Sequence, residues 1–171
     1  MTVGHSTRSI EDFLELLTAH GVELVVDVRT VPRSRHNPQF NSDTLPGALA
    51  GGGIEYLHMP GLGGLRHARK DSPNTAWRNA SFRGYADYMQ TPEFAGNLAE
   101  LLKRTEGRRA AVMCAEAVPW RCHRSLIADA LTAQGKAVKH IMSAAKADVH
   151  KLTPFARVEG TQVTYPGLDL G

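Results

Sequence analysis

The chain has few cysteines, few aromatic residues and no long apolar run. Its two cysteines, Cys114 and Cys122, are too few for a disulfide scaffold, so we expect them to be thiols or metal ligands. No apolar run approaches the roughly 20 residues that cross a bilayer. The first residues also lack the basic and apolar parts of a signal peptide. We therefore expect a cytoplasmic protein with no membrane partner.

What the chain does have is enough apolar material for a core. Of its 171 residues, 42% are hydrophobic and 22% are charged, which excludes a disordered protein. This length predicts one domain spanning residues 1–171.

Charge is unevenly distributed along the chain. The net charge is only +3, but residues 29–83 hold eight Lys or Arg and three Asp or Glu. Residues 30–79 also hold five of the nine prolines and follow no clear period, so we predict a long basic loop region there. A basic patch favours an anionic partner, either a small molecule or a nucleic acid. A solvated basic loop is the alternative interpretation.

Apolar runs alternate with helical periods, which indicates an α/β fold. Strands are predicted at residues 2–4, 23–28, 54–57, 110–113 and 137–141, and helices after Ser9, after Thr91 and from Arg121 to Gln134. This alternation predicts a single domain with a mostly parallel sheet and helices on both faces. The tail, residues 154–166, breaks the pattern and predicts a small β-hairpin around Glu159-Gly160-Thr161.

Polar side chains stand at or near the end of every predicted strand. They are His5, Asp27, His58, Cys114 and His140, with Arg29 and Glu116 close behind. Ligands of open parallel sheets bind outside the carboxyl ends of the strands. We therefore predict a shared site at this edge, with ordinary loop polarity as the alternative.

The stretch from Cys114 to Arg124 is the densest in reactive side chains. Cys114 faces the start of the helix predicted at Arg121, whose partial positive charge would lower the pKa of a thiol. The layout invites comparison with cysteine phosphatases and rhodaneses, but the six residues between Cys114 and Arg121 match the spacing of neither. A thiol nucleophile remains one interpretation of Cys114.

A metal centre is the other interpretation of the same stretch. Cys114, Cys122 and His123 are ligands suited to zinc or iron. Adjacent residues on one helix turn point about 100° apart, so Cys122 and His123 would not easily bind one ion. Cys122 would otherwise be a small buried core residue.

We predict roles for ten residues of the site. The catalytic candidates are Cys114, Glu116, His123, Asp27 and His5, and the substrate-binding candidates are Arg29, Arg33, Arg121, Arg124 and His140. Because guanidinium groups match phosphate, the leading interpretation is an enzyme that acts on a phosphate-bearing substrate, either a nucleotide or a nucleic acid. Glu116 or a histidine would then move protons. The alternatives are a zinc- or iron-dependent hydrolytic or redox protein and a nucleic-acid-binding module without chemistry.

Several motifs in combination resemble one known family. They are Thr2-Val3-Gly4-His5-Ser6-Thr7, Asp27-Val28-Arg29 with Pro32 and Ser34, Leu62-Gly63-Gly64, Cys114-Ala115-Glu116, Cys122-His123-Arg124 and the tail from Val158 to Pro166. Together they resemble DUF488, a domain of unknown function, over nearly the whole chain. The resemblance implies an α/β domain with an uncharacterised polar site at these positions and names no substrate. The first strand is shorter than the family leads us to expect, which suggests a longer natural N-terminus.

Overall fold

Strands and helices alternate along most of the chain in the computed structural model, which describes residues 1–168. Within these residues the strands are β1 Thr2–Gly4, β2 Leu24–Asp27, β3 Glu55–His58, β4 Ala110–Cys114, β5 Lys139–Ser143, β6 Lys146–Val149, β7 Arg157–Glu159 and β8 Gln162–Thr164. The helices are α1 Ile10–Ala19, α2 Leu45–Gly51, α3 Ala80–Tyr88, α4 Pro92–Thr105 and α5 Arg124–Ala133. None of these helices is long and apolar enough to cross a membrane.

The main sheet has the strand order β3-β2-β4-β1-β5-β6. The pairings from β3 through to β5 are parallel, and only β6 is antiparallel to its neighbour. Alternate strand residues face two separate apolar cores: Val25 and Met113 pack with α1 and α2, whereas Val26 and Val112 pack with α3, α4 and α5. The predicted α/β fold with helices on both faces is therefore confirmed.

Two helix starts follow their predicted caps. Ser9 Oγ accepts a hydrogen bond from the backbone N–H of Asp12 at 3.1 Å, and Thr91 Oγ1 accepts one from the N–H of Phe94 at 3.2 Å. Pro92 follows Thr91 in the first turn of α4, where its missing N–H costs nothing. Local chemistry thus sets where α1 and α4 begin.

The helix predicted from Arg121 begins three residues later, at Arg124. Residues Pro119–Arg121 form a short 3₁₀ turn, and Cys122 then adopts an extended backbone with φ −133° and ψ 146°. An extended residue cannot continue a helix, so α5 starts afresh beyond it. Because α5 starts later than predicted, the arginine that lies near Cys114 also differs from the predicted one.

The fifth strand also differs from its prediction, which placed it at residues 137–141. β5 covers Lys139–Ser143 because it pairs on its far side with β6, through Lys139↔Val149 and Ser143↔Lys146. Because β6 is a short, partly exposed segment without apolar alternation, its sequence gave no strand signal.

The region predicted as a long basic loop, residues 30–79, is more ordered than its sequence suggests. It contains β3, within one residue of the strand predicted at residues 54–57, and also the unpredicted helix α2, and two 3₁₀ turns lie at Pro38–Phe40 and Pro60–Leu62. Its later part is held by the buried carboxylate of Asp87, which accepts hydrogen bonds from Arg69 N and Asn74 Nδ2, both at 2.7 Å. The order comes from partners distant in sequence, which a local pattern does not reveal.

The C-terminal hairpin forms as predicted. β7 and β8 pair in antiparallel fashion, and Gly160 takes a φ of 63° in the loop between them. Val163 and Tyr165 are buried in the core beneath α5. The tail therefore completes one of the two apolar cores.

Candidate active site

Three of the predicted site residues meet at the carboxyl edge of the sheet. His5 directly follows β1, Asp27 ends β2 and Cys114 ends β4. β4 lies between β1 and β2, and the register pairs Gly4 with Cys114. All three side chains are buried. The predicted convergence of strand ends is thus present for these three residues.

Asp27 and Arg29 form a buried, two-pronged ion pair. Arg29 Nε donates to Asp27 Oδ1 at 2.9 Å, and Arg29 Nη2 donates to Asp27 Oδ2 at 2.7 Å. Tyr56 OH also donates to Oδ2, at 2.6 Å, and burial raises the pKa of this phenol. The carboxylate is therefore saturated with donors and rigidly held.

His5 packs between this ion pair and Phe40. Its ring stacks on Phe40 with centroids 4.3 Å apart, and its Nδ1 lies 2.8 Å from the carbonyl of Ser6. Since a carbonyl only accepts, Nδ1 carries the hydrogen and Nε2 accepts from Arg29 Nη1 at 3.3 Å. Burial lowers the pKa of His5 to about 4, so this ring is neutral at physiological pH.

Arg124 lies fully buried against Cys114. Its Nη1 donates to Cys114 Sγ at 2.8 Å and to the carbonyl of Glu116. Its Nη2 donates to the carbonyl of Ala117 at 3.1 Å and its Nε to Thr2 Oγ1 at 3.2 Å. Within residues 1–168, no carboxylate forms an ion pair with this guanidinium. A buried cation needs a counter-charge, and the thiolate form of Cys114 is positioned to provide one.

The pKa values of the two buried cysteines are linked. Burial by itself raises the pKa of the Cys114 thiol, but the nearby thiol of Cys122 and the charge of Arg124 outweigh burial and lower that pKa to about 7. The presence of Cys114, together with burial, raises the pKa of Cys122. The pair therefore favours a thiolate on Cys114 and a thiol on Cys122.

His123 lies next to this pair, with Nδ1 3.5 Å from Cys122 Sγ. Burial lowers the pKa of His123 to about 4. Within residues 1–168, no three His, Cys, Asp or Glu side chains form a group that could hold a metal ion. The predicted ligands Cys114, Cys122 and His123 are therefore not assembled into a metal centre. Cys114 instead contacts the cationic group of Arg124, which would repel a metal ion.

The other predicted members lie around or away from this cluster. Glu116, Arg33 and Arg121 are exposed. Arg121 lies in the 3₁₀ turn, and the arginine that contacts Cys114 is Arg124. His140 is not at the carboxyl edge as predicted: it pairs with Thr2 near the start of β5, because that strand begins later and runs on to Ser143.

Several polar residues of this part of the molecule were not among the predicted candidates. They are Thr2, Tyr56, Asp129, His150 and Thr153. Tyr56 lies inside β3 and Asp129 inside α5, so neither occupies the end of an element. A buried aspartate on the inner face of a helix was the one available signal, since such a charge needs partners.

The comparisons with known proteins identify a family. The model of "Domain of unknown function DUF488" matches residues 9–131, which include Asp27, Arg29, Cys114 and Arg124. The searches of curated proteins and of solved structures found no match. The family model spans more than two thirds of the chain, so this α/β protein, with its buried Cys114–Arg124 pair, belongs to the DUF488 family.

Proposed function

We propose that this protein is a thiol-dependent enzyme whose nucleophile is Cys114. The observation that carries the proposal is the 2.8 Å contact between Cys114 Sγ and the fully buried Arg124, which has no carboxylate partner in residues 1–168. A pKa of about 7 leaves a substantial thiolate fraction at neutral pH. Thiolates, not thiols, attack electrophiles.

We further propose that the substrate carries phosphate, as in a nucleotide or nucleic acid. Arg33, Arg35, Lys70 and Arg78 are exposed in residues 30–79, and none forms an ion pair within the described chain. The chain enters this region from the carboxyl end of β2, the strand next to β4 in the sheet. Exposed cationic side chains in the region favour an anionic substrate.

In the proposed reaction, the Cys114 thiolate attacks phosphorus. A sulfur–phosphorus bond forms, the bond from phosphorus to the leaving oxygen breaks, and that oxygen takes a proton from Glu116, the only carboxylic acid of loop 115–121. Water then attacks phosphorus, the sulfur–phosphorus bond breaks, and the proton that water loses returns to the Glu116 carboxylate, so that the thiolate and the acid are both regenerated.

The test combines turnover with trapping of the intermediate. The purified chain is incubated with 4-nitrophenyl phosphate and with mononucleotides, then quenched and analysed by mass spectrometry. We expect turnover and a phosphate adduct on Cys114, both lost in C114S, and no turnover in the double variant C114S/E116Q, which should stay folded. Undiminished turnover in C114S contradicts the proposal.

A nucleic-acid-binding module without chemistry is the second candidate, and the unpaired cationic side chains of residues 30–79 favour it. Replacing Arg33 and Arg35 by Gln should then weaken binding of single-stranded RNA or DNA, and wild-type affinity should fall steeply with salt. The matched control is the exposed Arg157 of the C-terminal hairpin, outside that region. Equal losses in the R157Q control and the double variant would argue against this candidate.

A further inference from the structure

Asp129 is a fully buried carboxylate in the middle of α5. It accepts hydrogen bonds at 2.7 Å from His150 Nε2, Thr153 Oγ1 and Tyr165 OH, and at 3.1 Å from the backbone N–H of Thr153. A buried carboxylate with this many donors is firmly fixed in place. It forms one end of a longer chain of hydrogen bonds.

This series of hydrogen bonds, the hydrogen-bond chain, runs from Asp129 across the strands of the sheet to the proposed nucleophile. His150 Nδ1 lies 2.7 Å from His140 Nε2, and His140 Nδ1 lies 2.6 Å from Thr2 Oγ1. Thr2 Oγ1 accepts from Arg124 Nε at 3.2 Å. The next group is Cys114, bound to the same guanidinium.

The groups at the two ends of the hydrogen-bond chain fix which atom donates and which accepts at every link. Arg124 can only donate and the Asp129 carboxylate can only accept. His150 therefore donates from Nε2 and accepts at Nδ1, His140 donates from Nε2 and accepts at Nδ1, and the hydroxyl of Thr2 donates to His140. Burial lowers the pKa of His140 to about 4, which keeps that ring neutral, as this arrangement requires. Every link then has one donor and one acceptor.

We propose that Asp129, His150, His140 and Thr2 are positioning residues that hold Arg124 in the orientation that stabilises the Cys114 thiolate. The inference rests on the proposed function. Arg124 Nη1 and Nη2 bind the thiol and the loop carbonyls, so Nε is the nitrogen that anchors the guanidinium to the sheet. Without the Thr2 acceptor, Nε loses its partner and only the loop carbonyls and the sulfur still orient the guanidinium.

The two histidines act through this chain rather than on a substrate. They line a cavity of about 400 Å³ together with Trp77 and Trp120. Both ring nitrogens of His140 and of His150 are nevertheless engaged within the chain. A molecule in the cavity would therefore meet no free ring nitrogen, which argues for positioning and against direct catalysis by these residues.

Thr2 offers the sharpest test, because T2V removes only the hydroxyl link and T2S restores it. The readout is the ultraviolet absorbance of the Cys114 thiolate as a function of pH, with C114S as the baseline. We expect T2V to raise the pKa of Cys114 and so to lower its ionised fraction at neutral pH about fivefold, and T2S to resemble the wild type.

D129N tests the far end of the same chain and has no contact with Cys114. It should lower the thiolate fraction in the same direction as T2V, and thermal unfolding identifies any variant that does not fold. If folded T2V keeps the wild-type thiolate fraction, the hydrogen-bond chain has only a structural role and the inference is overturned. A wild-type Cys114 that titrates at an ordinary thiol pKa would instead overturn the proposed function, and this inference with it.

Discussion

Gly4 ends β1 at the point where the chain after β4 crosses over it. A Cβ built on Gly4 would overlap the backbone carbonyl oxygen of Glu116. That carbonyl also accepts from Arg124, so it cannot withdraw without breaking the contacts of a buried cation. The absence of a side chain at Gly4 is thus what allows the loop beyond Cys114 to close over the sheet.

Replacing Gly4 by Ala should therefore destabilise the fold. We expect a loss of about 2–4 kcal/mol in the free energy of unfolding, because backbone has to shift to make room. Unfolding in urea measures this change in the free energy of unfolding. The control is G96A, at an exposed site of α4 with open space around it, where alanine should stabilise the protein by about 0.5–1 kcal/mol. A G4A variant as stable as the wild type contradicts this account.

The Asp27–Arg29 pair is a second feature that acts at the residue scale. D27A would leave the Arg29 guanidinium buried without its counter-charge, and we expect a loss of about 3–5 kcal/mol in the free energy of unfolding. The exposed Arg69–Asp71 pair provides the comparison, since D71A should change stability little. Chemical unfolding of the two variants side by side checks this. Equal effects would mean that burial does not control the strength of these pairs.

At the scale of elements, Asp87 connects α3 to the segment before it. Three donors from residues 69–74 converge on its carboxylate: Arg69 N, Ser72 Oγ and Asn74 Nδ2. Asn74 Oδ1 in turn accepts from Tyr165 N, which joins the segment to the C-terminal tail. One side chain of α3 thereby orders an irregular part of the chain.

Replacing Asp87 by Ala should release this segment. Because three donors lose their acceptor and one of them is buried, we expect a loss of about 2–3 kcal/mol in the free energy of unfolding and faster tryptic cleavage after Arg69 and Lys70. Limited proteolysis followed by mass spectrometry locates the cut. The control D43A changes an exposed carboxylate outside this segment, and should leave the cleavage rate unchanged. Slow cleavage in D87A would show that other contacts hold the segment.

At the scale of the whole molecule, three buried histidines couple stability to pH. Burial lowers the pKa values of His5, His123 and His140 from 6.5 to about 4. Between these values the unfolded chain binds protons that the folded chain does not, so the folded state loses stability as pH falls from 6.5 towards 4.

Thermal unfolding across this window checks that coupling. We expect Tm to fall as the pH is lowered from 6.5 to about 4. Replacing His140 by Gln should flatten the fall, whereas the matched control H36Q changes an exposed histidine and should not. A Tm that stays constant over this range would mean that these histidines titrate normally.

Much of the fold could be predicted because its signals are local. The caps at Ser9 and Thr91 and the β-hairpin around Gly160 each depend on a few neighbouring residues, and the structure confirms all three. α2 was missed because its seven residues include two glycines and too little periodicity. β6 was missed because its order depends on pairing with β5.

By itself, the sequence determined the α/β alternation and the reactive side chains at the ends of β1, β2 and β4, since periodicity and strand ends are local properties. Only the tertiary structure decided that Arg124 rather than Arg121 meets Cys114, because extended Cys122 resets where α5 begins. It also decided that His140 lies by Thr2, 138 residues away in the chain. Such contacts depend on strand order and register, which exist only once the sheet has assembled.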